Sequence, residues 1–317
     1  MMKLNDPYGR KFKTLRVSLL NTCNLNCFYC TMGSEEDINF DHRPQKSAAF
    51  FSHLISRLHE NLELQTIRLT GGEPLLYREL PELIRNLRLM GIPKISMTSN
   101  GYLLARQAKD LAHAGLQSIN ISLDGMDEAS FYKMAKRKHL DRVLNGIETA
   151  LNFGIEVKLN AVIMKGMNEE QIIPLVDYAF GKNIPIRFLE VMSMGHLHHK
   201  SDQYLFSQQQ LLDTIATKYQ FERLPRIASA TSNYWQTSAG NTFGIIANNS
   251  EPFCSDCSRL RLDAEGNMYG CLSSNHPIVM DVTDNDYILQ EKLQLAMSQK
   301  QLHHFVGSEL SMLQIGG

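Results

Sequence analysis

The sequence predicts an α/β protein, in which an incomplete barrel of six βα units at residues 1–225 is followed by a smaller module at residues 226–317. Two observations support this prediction. Six short runs rich in β-branched residues alternate with longer segments whose apolar residues recur at helical spacing. The six cysteines form two triplets near opposite ends of the chain. Parallel strands joined by right-handed crossover helices curl into a barrel.

Composition restricts the class of protein further. The chain has 317 residues, 43% of them hydrophobic, and 32 Lys and Arg against 33 Asp and Glu. This balance excludes a disordered chain and argues against a general nucleic-acid binder, so any bound phosphate must meet a few placed basic side chains. No apolar run is long enough to span a membrane and no secretory signal is present, so a cytoplasmic protein without membrane contact is expected. Six cysteines are too few for a disulfide scaffold.

The barrel strands are predicted in the order in which the β-branched runs occur. They lie at residues 14–20, 65–70, 94–98, 118–123, 155–163 and 185–191. Segments such as 50–58 and 140–151 have a helical apolar pattern and are predicted as crossover helices. Polar or glycine-rich motifs follow each of the first four strands, at residues 23–30, 71–74, 98–101 and 124–125. Barrel enzymes place their chemistry at these carboxyl ends of the strands.

The pattern loosens after residue 191. Residues 192–201 contain glycine and three histidines, His196, His198 and His199, and are predicted to form a solvated loop. A helix is predicted at 207–219, and residues 227–241 are polar and turn-rich. The C-terminal module is predicted to contain a strand at 242–247, a hairpin turned at 265–267 and a helix near 288–297.

The first cysteine triplet has metal-ligand spacing. Cys23, Cys27 and Cys30 form CxxxCxxC, and three thiolates on one short loop can hold three corners of a cubane iron–sulfur cluster. The fourth iron would then be open to a small molecule, whereas structural clusters and structural zinc sites use four protein ligands. The alternatives are a zinc knuckle with a distant fourth ligand and three unconnected thiols.

This loop, together with Tyr29 and the downstream Gly71-Gly72-Glu73, resembles the radical S-adenosylmethionine (SAM) superfamily. The resemblance implies a barrel of the radical SAM type, in which the open iron chelates SAM. One-electron reduction then cleaves SAM to a 5′-deoxyadenosyl radical. It also implies that Gly72 and Glu73 lie at the methionine amino group of SAM. The glycines allow the backbone to approach a ligand closely.

The second triplet differs from the first in spacing and in its basic neighbours. Cys254 and Cys257 form CxxC, and Cys271 follows after thirteen residues. Arg259 and Arg261 occupy alternate positions, which share one face of an extended segment. Arginine forks bind phosphate oxygens in pairs, so this face suits a polyphosphate ligand beside a second open cluster. The alternative is a zinc-bound hairpin with two solvated arginines.

The chain resembles the GTP 3′,8-cyclase family of molybdenum cofactor biosynthesis nearly from end to end. Besides both triplets, the matching motifs are LRVS, IRLTGGEPLL, TSNGYLL, INISLDG, VKLNAVIMKGMN, RFLEVM, TFGI and the terminal Gly-Gly. The resemblance implies two [4Fe–4S] clusters and SAM as cofactors, and a lyase whose radical takes the ribose C3′ hydrogen so that C3′ joins guanine C8. The sequence departs from the family's usual residues at Thr31, Ser193 and Ser258.

The resemblance also assigns roles to individual residues. Catalysis is carried by the SAM-derived radical rather than by a side chain, and Gly316 and Gly317 form a tail that reaches the site. The metal ligands are Cys23, Cys27, Cys30, Cys254, Cys257 and Cys271. The SAM-binding residues are Tyr29, Gly72, Glu73, Ser122 and Met192. The GTP-binding residues are Arg16, Arg68, Thr98, Lys158, Arg259 and Arg261.

The implied partners are a one-electron donor such as flavodoxin or ferredoxin and a downstream cyclic pyranopterin monophosphate synthase. The resemblance is also compatible with a homodimer. Two other classes remain open at this point. One is a radical SAM enzyme with an auxiliary cluster that acts on a peptide or on another nucleotide. The other is a non-enzymatic zinc-binding module, which would leave Gly72, Glu73 and the basic residues unexplained.

Overall fold

The computed structural model describes residues 4, 6, 8–31 and 44–316. In this part of the chain, eleven strands form one sheet. The strands are β1 (Thr14–Ser18), β2 (Thr66–Thr70), β3 (Lys94–Ser99), β4 (Ser118–Ser122), β5 (Glu156–Ile163), β6 (Ile186–Glu190), β7 (Phe221–Arg223), β8 (Asn233–Thr237), β9 (Thr242–Ile246), β10 (Arg259–Leu262) and β11 (Met268–Tyr269).

Helices connect the strands and cover the sheet. They are α1 (Ala48–Leu62), α2 (Leu80–Leu89), α3 (Leu104–Ala114), α4 (Glu128–Ala135), α5 (Leu140–Asn152), α6 (Ile172–Gly181), α7 (Gln208–Ala216), α8 (Asp286–Ser298) and α9 (Met312–Ile315). Sequence-encoded caps fix several helix starts. The Ser47 side chain accepts from the Phe50 backbone N–H at the start of α1, and Asn285 caps α8 in the same way. No helix of the described ranges has both the length and the apolar character needed to cross a bilayer.

The six predicted barrel strands are confirmed. Strands β1 to β6 lie side by side in chain order, each parallel to the next. Their ends differ from the predicted ends by at most two residues. Parallel strands need long crossover connections, and α1 to α6 lie in these connections. The predicted incomplete barrel is therefore the core of the fold.

C-terminal strands extend this sheet at both of its edges. Strand β10 pairs in parallel with β1, and β9 pairs in parallel with β6. The antiparallel strands β11, β8 and β7 lie outside them. The hairpin predicted at 265–267 is confirmed by the pairing of β10 with β11. The boundary at residue 225 stays a prediction, and residues on either side of it contribute to one sheet.

The prediction of irregular structure at residues 227–241 is wrong in part, because β8 lies within this segment. Trp235 of β8 is buried and stacks on Phe243 of β9, with ring centroids 5.6 Å apart. The sequence analysis did not predict this strand, because polar residues flank it on both sides. Its pairing with β9 and the burial of one tryptophan stabilise this short extended segment.

The alternation of side chains along the strands separates the core from the interior of the barrel. In β1, Leu15 and Val17 are fully buried in the apolar core, which also contains Phe51 and Ile55 of α1. Arg16, between them, lines an interior cavity. Successive strand residues point to opposite faces. The barrel interior is therefore polar, while the outer face of the sheet packs against the helices.

Candidate active site

A cavity of about 1160 Å³ lies at the carboxyl ends of the barrel strands. Its wall includes the three thiols of the first triplet and residues from the ends of β2, β3, β4, β5 and β6. We call it the first cavity. The cysteine loop is held over the strand ends by the loop after β2, where Gly72 N–H donates to Leu20 O (2.7 Å) and Glu73 N–H donates to Thr22 O (2.8 Å).

Gly72 is needed for this close approach. A Cβ atom at this position would lie 2.2 Å from the backbone oxygen of Thr22. No larger residue fits without moving the cysteine loop. The glycine of the Gly-Gly-Glu motif therefore has a steric role that the structure shows directly.

The thiols of the first triplet are free and lie close to one another. Burial raises the pKa of Cys23 to about 12 and that of Cys30 to about 11, and it raises the pKa of Cys27 as well. The Cys23 sulfur accepts from Leu25 N–H (3.4 Å) and from Asn100 Nδ2–H (3.7 Å). Buried thiols become thiolates when a bound cation compensates their charge. Three such thiols on one wall fit the three corners of an iron–sulfur cluster.

All five residues predicted to bind SAM line the first cavity, namely Tyr29, Gly72, Glu73, Ser122 and Met192. The carboxylate of Glu73 is bound by the protein itself. It accepts from Ser99 Oγ (2.7 Å), Leu75 N–H (3.0 Å) and Asn100 N–H (2.8 Å). Burial nevertheless raises the pKa of Glu73 to about 7. Glu73 thus joins the loop after β2 to the loop after β3.

Asp124 lies in the motif that follows the fourth strand, but the sequence analysis assigned it no role in the site. Its carboxylate accepts from Tyr29 OH (3.0 Å) and from Val162 N–H (2.8 Å), and it lines the first cavity. Burial raises the pKa of Asp124 to about 6. Tyr29 is therefore fixed in orientation by a buried carboxyl group on the neighbouring wall.

A second cavity, of about 1000 Å³, contains the thiols of the second triplet in its wall. Cys254 and Cys257 precede β10, and Cys271 follows β11, so the hairpin returns the third thiol to the first two. Burial raises the pKa of Cys254 to about 11. Burial acts in the same direction on Cys257, but Lys300 and Arg259 outweigh it and lower the pKa to about 6. This donor set fits a second cluster with three protein ligands.

Lys300 was also missed by the sequence reasoning. It follows α8, and its ammonium group lies 3.3 Å from the Cys257 sulfur and donates to the Arg259 carbonyl. It lines the second cavity. No local signal distinguishes this lysine from a solvated residue at a helix end. Only the folding of α8 against the cysteine module brings it to the thiol.

Three arginines on neighbouring strands form a row at the base of the second cavity. The strand register places Arg16 of β1 beside Arg68 of β2 on one side and beside Arg261 of β10 on the other. Burial lowers the pKa of Arg68 and of Arg261 to about 10 and that of Arg16 well below its usual value, and the neighbouring arginines add to the effect. No carboxylate of the described residues lies within ion-pair distance of this row. Adjacent like charges without a counterion indicate a site for an anion.

The other predicted GTP-binding residues are placed differently from one another. Thr98 and Arg259 line the second cavity, whereas Lys158 does not. Lys158 lies on β5 opposite Asn120 of β4, half-buried, and burial lowers its pKa. Arg187 of β6, which the sequence reasoning missed, lines the cavity instead and donates to Asn120 (2.7 Å).

The two cavities are contiguous. Five residues line both of them, namely Thr98, Asn160, Leu189, Met192 and Met312. A molecule at the first cysteine loop and a molecule on the arginine row would therefore meet across this shared wall.

The C-terminal segment lies against the two cavities. Met312 and Leu313 of α9 line the first cavity, and the Gly316 carbonyl accepts from Arg261 of the arginine row. Gly316 has φ +79°, and a Cβ there would lie 2.8 Å from Ser18, so glycine is required. Gly317 lies outside the described residues. The structure thus brings the Gly316 carbonyl to Arg261, a residue that lines the second cavity.

The prediction of a solvated loop for the three histidines is correct for His199 and wrong for the other two. His196 and His198 are partly buried. The His196 ring packs edge-on against Phe28 of the first cysteine loop, with centroids 6.0 Å apart, and burial lowers its pKa. This contact supports the cysteine loop from the side of the loop that follows β6.

Comparison with known proteins agrees with this geometry. Residues 17–179 match the family model of the radical SAM superfamily, and residues 184–306 match that of Molybdenum Cofactor Synthesis C. A protein from Synechocystis sp. named GTP 3′,8-cyclase is 36% identical over 87% of this chain and 83% of its own length. One from Rhodopirellula baltica with the same name is 35% identical over 99% and 92%.

Solved structures share the fold at low sequence identity. SuiB of Streptococcus suis, bound to its precursor peptide SuiA, superposes with a TM-score of 0.68 at 17% identity, over 90% of this chain and 66% of SuiB. The enzyme anSMEcpe, with bound AdoMet and a peptide, gives 0.61 at 13% identity, over 90% and 82%.

The barrel and its three-thiol loop define a radical SAM enzyme. SAM and [4Fe–4S] clusters are its cofactors. Within that class, the chain belongs to the GTP 3′,8-cyclase family.

Proposed function

We propose that this chain cyclises GTP to (8S)-3′,8-cyclo-7,8-dihydroguanosine 5′-triphosphate in molybdenum cofactor biosynthesis. The observation that carries the proposal is the contiguity of the two cavities. A three-thiol loop and a row of arginines that no carboxylate of the described residues pairs with lie on opposite sides of one shared wall. Relatives named GTP 3′,8-cyclase, at 35–36% identity over most of this chain, support it.

The residues of the chain have separable tasks in this proposal. Cys23, Cys27 and Cys30 hold the first cluster, and Cys254, Cys257 and Cys271 hold the second. When bound, the first cluster with SAM supplies a carbon-centred radical that abstracts hydrogen. Such a radical is unselective, so selectivity requires that one ribose hydrogen be held close to it and that water be excluded.

The positioning of GTP falls to the cationic wall. Arg16, Arg68 and Arg261 point into the second cavity at one level, and Arg259 lies beside the second triplet. Charge-assisted hydrogen bonds to the triphosphate relieve the repulsion within the row. Thr98 and Asn160 supply polar groups at the shared wall, and Leu189, Met192 and Met312 exclude water there.

The same charge pattern favours a nucleotide over a peptide substrate. A row of arginines without carboxylate partners suits a polyphosphate, whereas a neutral peptide would leave that charge unpaired. Lys158 enters the proposal as a supporting cation rather than a wall residue, because it lies on β5 outside the cavity lining.

The remaining parts of the proposal concern the cell. We infer that the enzyme is cytoplasmic and receives electrons from a carrier such as flavodoxin or ferredoxin. Its product then passes to a cyclic pyranopterin monophosphate synthase. A homodimer is compatible with these partners. A contribution of Gly317 to the tail is part of the same proposal.

The proposal is tested with Arg259→Ala/Arg261→Ala. GTP affinity should fall at least about a hundredfold, because two charge-assisted contacts are lost. Cleavage of SAM to deoxyadenosine with dithionite should persist, because the first cavity does not include either arginine. Equilibrium binding of GTP and chromatography of the anaerobic reaction products measure the two effects.

The matched control is Arg85→Ala/Arg106→Ala, which removes two exposed arginines from α2 and α3. It should leave both readouts unchanged. Unchanged GTP affinity in the Arg259/Arg261 variant would refute the phosphate role. Failure of the wild-type enzyme to form a cyclised nucleotide from GTP would refute the reaction.

A further inference from the structure

The first cysteine loop is a thin wall with two different faces. Cys23, Leu25 and Cys27 line the first cavity. Asn26, between them, lines a separate surface pocket of about 830 Å³ on the other side. The remaining lining of this pocket consists of Tyr102, Tyr132 and the segment Lys136–His139. We call residues 136–139 the basic turn. The first cavity and the surface pocket are therefore separated by a single layer of main chain.

The basic turn is firmly attached to this wall. Arg137 Nε–H donates to the Asn24 carbonyl (2.8 Å). The segment just before it adds two main-chain bonds, from Asn26 N–H to Ala135 O (3.1 Å) and from Phe28 N–H to Met134 O (2.9 Å). Asn24 directly follows Cys23 in the chain. The turn is thus hydrogen-bonded directly to the residue that follows Cys23, and it lies outside the first and second cavities.

The lysines of the turn are accessible to solvent. Lys138 and His139 are exposed, and Lys136 is partly exposed. No carboxylate of the described residues forms an ion pair with Lys136 or Lys138.

Two acidic residues of the described chain adjoin the turn, Glu128 and Asp141, and they offset part of its positive charge. Glu128 accepts the backbone N–H groups of His139 and Leu140, at 2.6 and 2.9 Å, and Asp141 lies 3.8 Å from the His139 ring. Arg142 adds a further cation over the Tyr102 ring, at 5.0 Å. The surface is therefore basic and partly aromatic.

We propose that the basic turn and the outer face of the first cysteine loop form the docking surface for an acidic one-electron carrier protein. The inference rests on the proposed function, which requires an electron from outside for each SAM cleaved. In the transfer, the reduced carrier loses one electron and the first iron–sulfur centre gains it. No bond forms between the carrier and the enzyme. Complementary charge accelerates such encounters and orients them.

The geometry favours this face over the cavity mouth. A carrier docked on the basic turn contacts main chain that is covalently joined to Cys23, while SAM and GTP can stay bound on the other side. A carrier that approached through the first cavity would have to displace substrate. Electron entry and substrate binding are thus separated by the loop itself.

The test compares Lys136→Gln/Lys138→Gln and Lys136→Glu/Lys138→Glu with wild type, each with reconstituted clusters. The probe is an acidic flavodoxin, reduced photochemically. Two readouts need no GTP: the equilibrium dissociation constant of the flavodoxin complex, and the rate at which reduced flavodoxin bleaches the iron–sulfur absorbance. At low salt the charge-reversed variant should bind flavodoxin about tenfold more weakly than wild type and be reduced by it about tenfold more slowly. The neutral variant should show a smaller decrease in both. At high salt the reduction rates of all variants should become similar, because salt screens the charges.

Two controls separate charge from fold. Lys136→Arg/Lys138→Arg keeps the charge and should behave as wild type. Arg85→Glu/Lys109→Glu makes the same charge change on the outer helices α2 and α3, at residues that line none of the three cavities, and should have a much smaller effect.

Dithionite distinguishes this proposal from the proposed function, because a small reductant needs no docking surface. All variants should convert GTP normally with dithionite. If the charge-reversed variant binds flavodoxin and is reduced by it at the wild-type rate in low salt, the docking proposal is overturned. If wild type makes no cyclised nucleotide with dithionite, the proposed function fails, and the docking surface is still decided by the binding constants and reduction rates.

Discussion

Single residues at the loop after β2 show how closely the chain is packed around the first cavity. Gly72 leaves space for the Thr22 carbonyl, and the Glu73 carboxylate accepts two hydrogen bonds from the end of β3 and the loop after it, and one from Leu75 of its own loop. Both residues therefore act on the cysteine loop by positioning it. Their effects can be measured separately, because one is steric and the other depends on protonation.

For Gly72→Ala, we expect loss of the first cluster and a decrease of about 3 kcal/mol in the free energy of unfolding. The added methyl group would overlap a backbone oxygen, which cannot turn away as a side chain can. Iron content after reconstitution and urea unfolding of the cluster-free chain measure the two effects. The control is Gly181→Ala at the end of α6, where a Cβ meets nothing within 4 Å. Full iron content in Gly72→Ala would contradict the steric role.

For Glu73, we expect a pH dependence of stability in the cluster-free chain. Burial raises its pKa from 4.5 to about 7 in the folded state, so the folded chain binds more protons than the unfolded chain in this interval. The free energy of unfolding therefore falls as pH rises from about 4.5 to about 7, by on the order of 3 kcal/mol from this group.

Glu73→Gln should remove that component. Urea unfolding of both chains across this pH range gives the difference between them. Glu222→Gln, at an exposed position on β7, is the matched control and should retain the slope. Parallel stability curves for wild type and Glu73→Gln would show that Glu73 does not titrate in this range.

Neighbouring strands combine to make the arginine row, which no single strand contains. Arg16, Arg68 and Arg261 belong to β1, β2 and β10 and meet because the three strands pair in register. In the ligand-free protein their charges repel one another, and a bound triphosphate would compensate them. Ligand binding and intrinsic stability are therefore opposed at this row.

For Arg68→Met, we expect the ligand-free protein to gain up to about 1 kcal/mol in free energy of unfolding, because one of three adjacent like charges is removed. Its GTP affinity should fall about tenfold or more. Thermal unfolding without ligand and calorimetric titration with GTP measure the two changes. The control Arg85→Met removes an exposed charge from α2 and should change neither. A destabilised variant with normal GTP affinity would contradict this interpretation of the row.

The whole molecule is joined by its C-terminal strands, which flank the barrel on both sides. Strand β10 covers the free edge of β1, and β9 covers the free edge of β6. Their side chains Phe243, Ile245, Leu260 and Leu262 are completely buried. The second cysteine triplet and the arginine row therefore depend on the same pairing that extends the sheet at its edges.

A chain ending at residue 225 should consequently fail to fold cooperatively. It would lose the burial of these four side chains, roughly 2 kcal/mol each, which is comparable with the about 5–15 kcal/mol that holds a typical domain together. Urea unfolding followed by circular dichroism tests this. A chain ending at residue 311 removes only α9 and the glycine tail and should unfold cooperatively. Cooperative unfolding of the 225-residue chain near the wild-type midpoint would show that the C-terminal strands are dispensable.

Local patterns in the sequence were sufficient for β1 to β6, both cysteine triplets and the hairpin near residue 266, because alternation, helical spacing and turn residues act over a few neighbouring positions. They were not sufficient for β8 or for Lys300, Arg187 and Asp124, whose surroundings come from distant segments. The meeting of Arg16 with Arg261, and of Arg261 with Gly316, depends on pairing between the two ends of the chain. Only the tertiary structure determines such long-range register, because a strand edge can pair with several partners and the burial of the whole apolar core selects one of them.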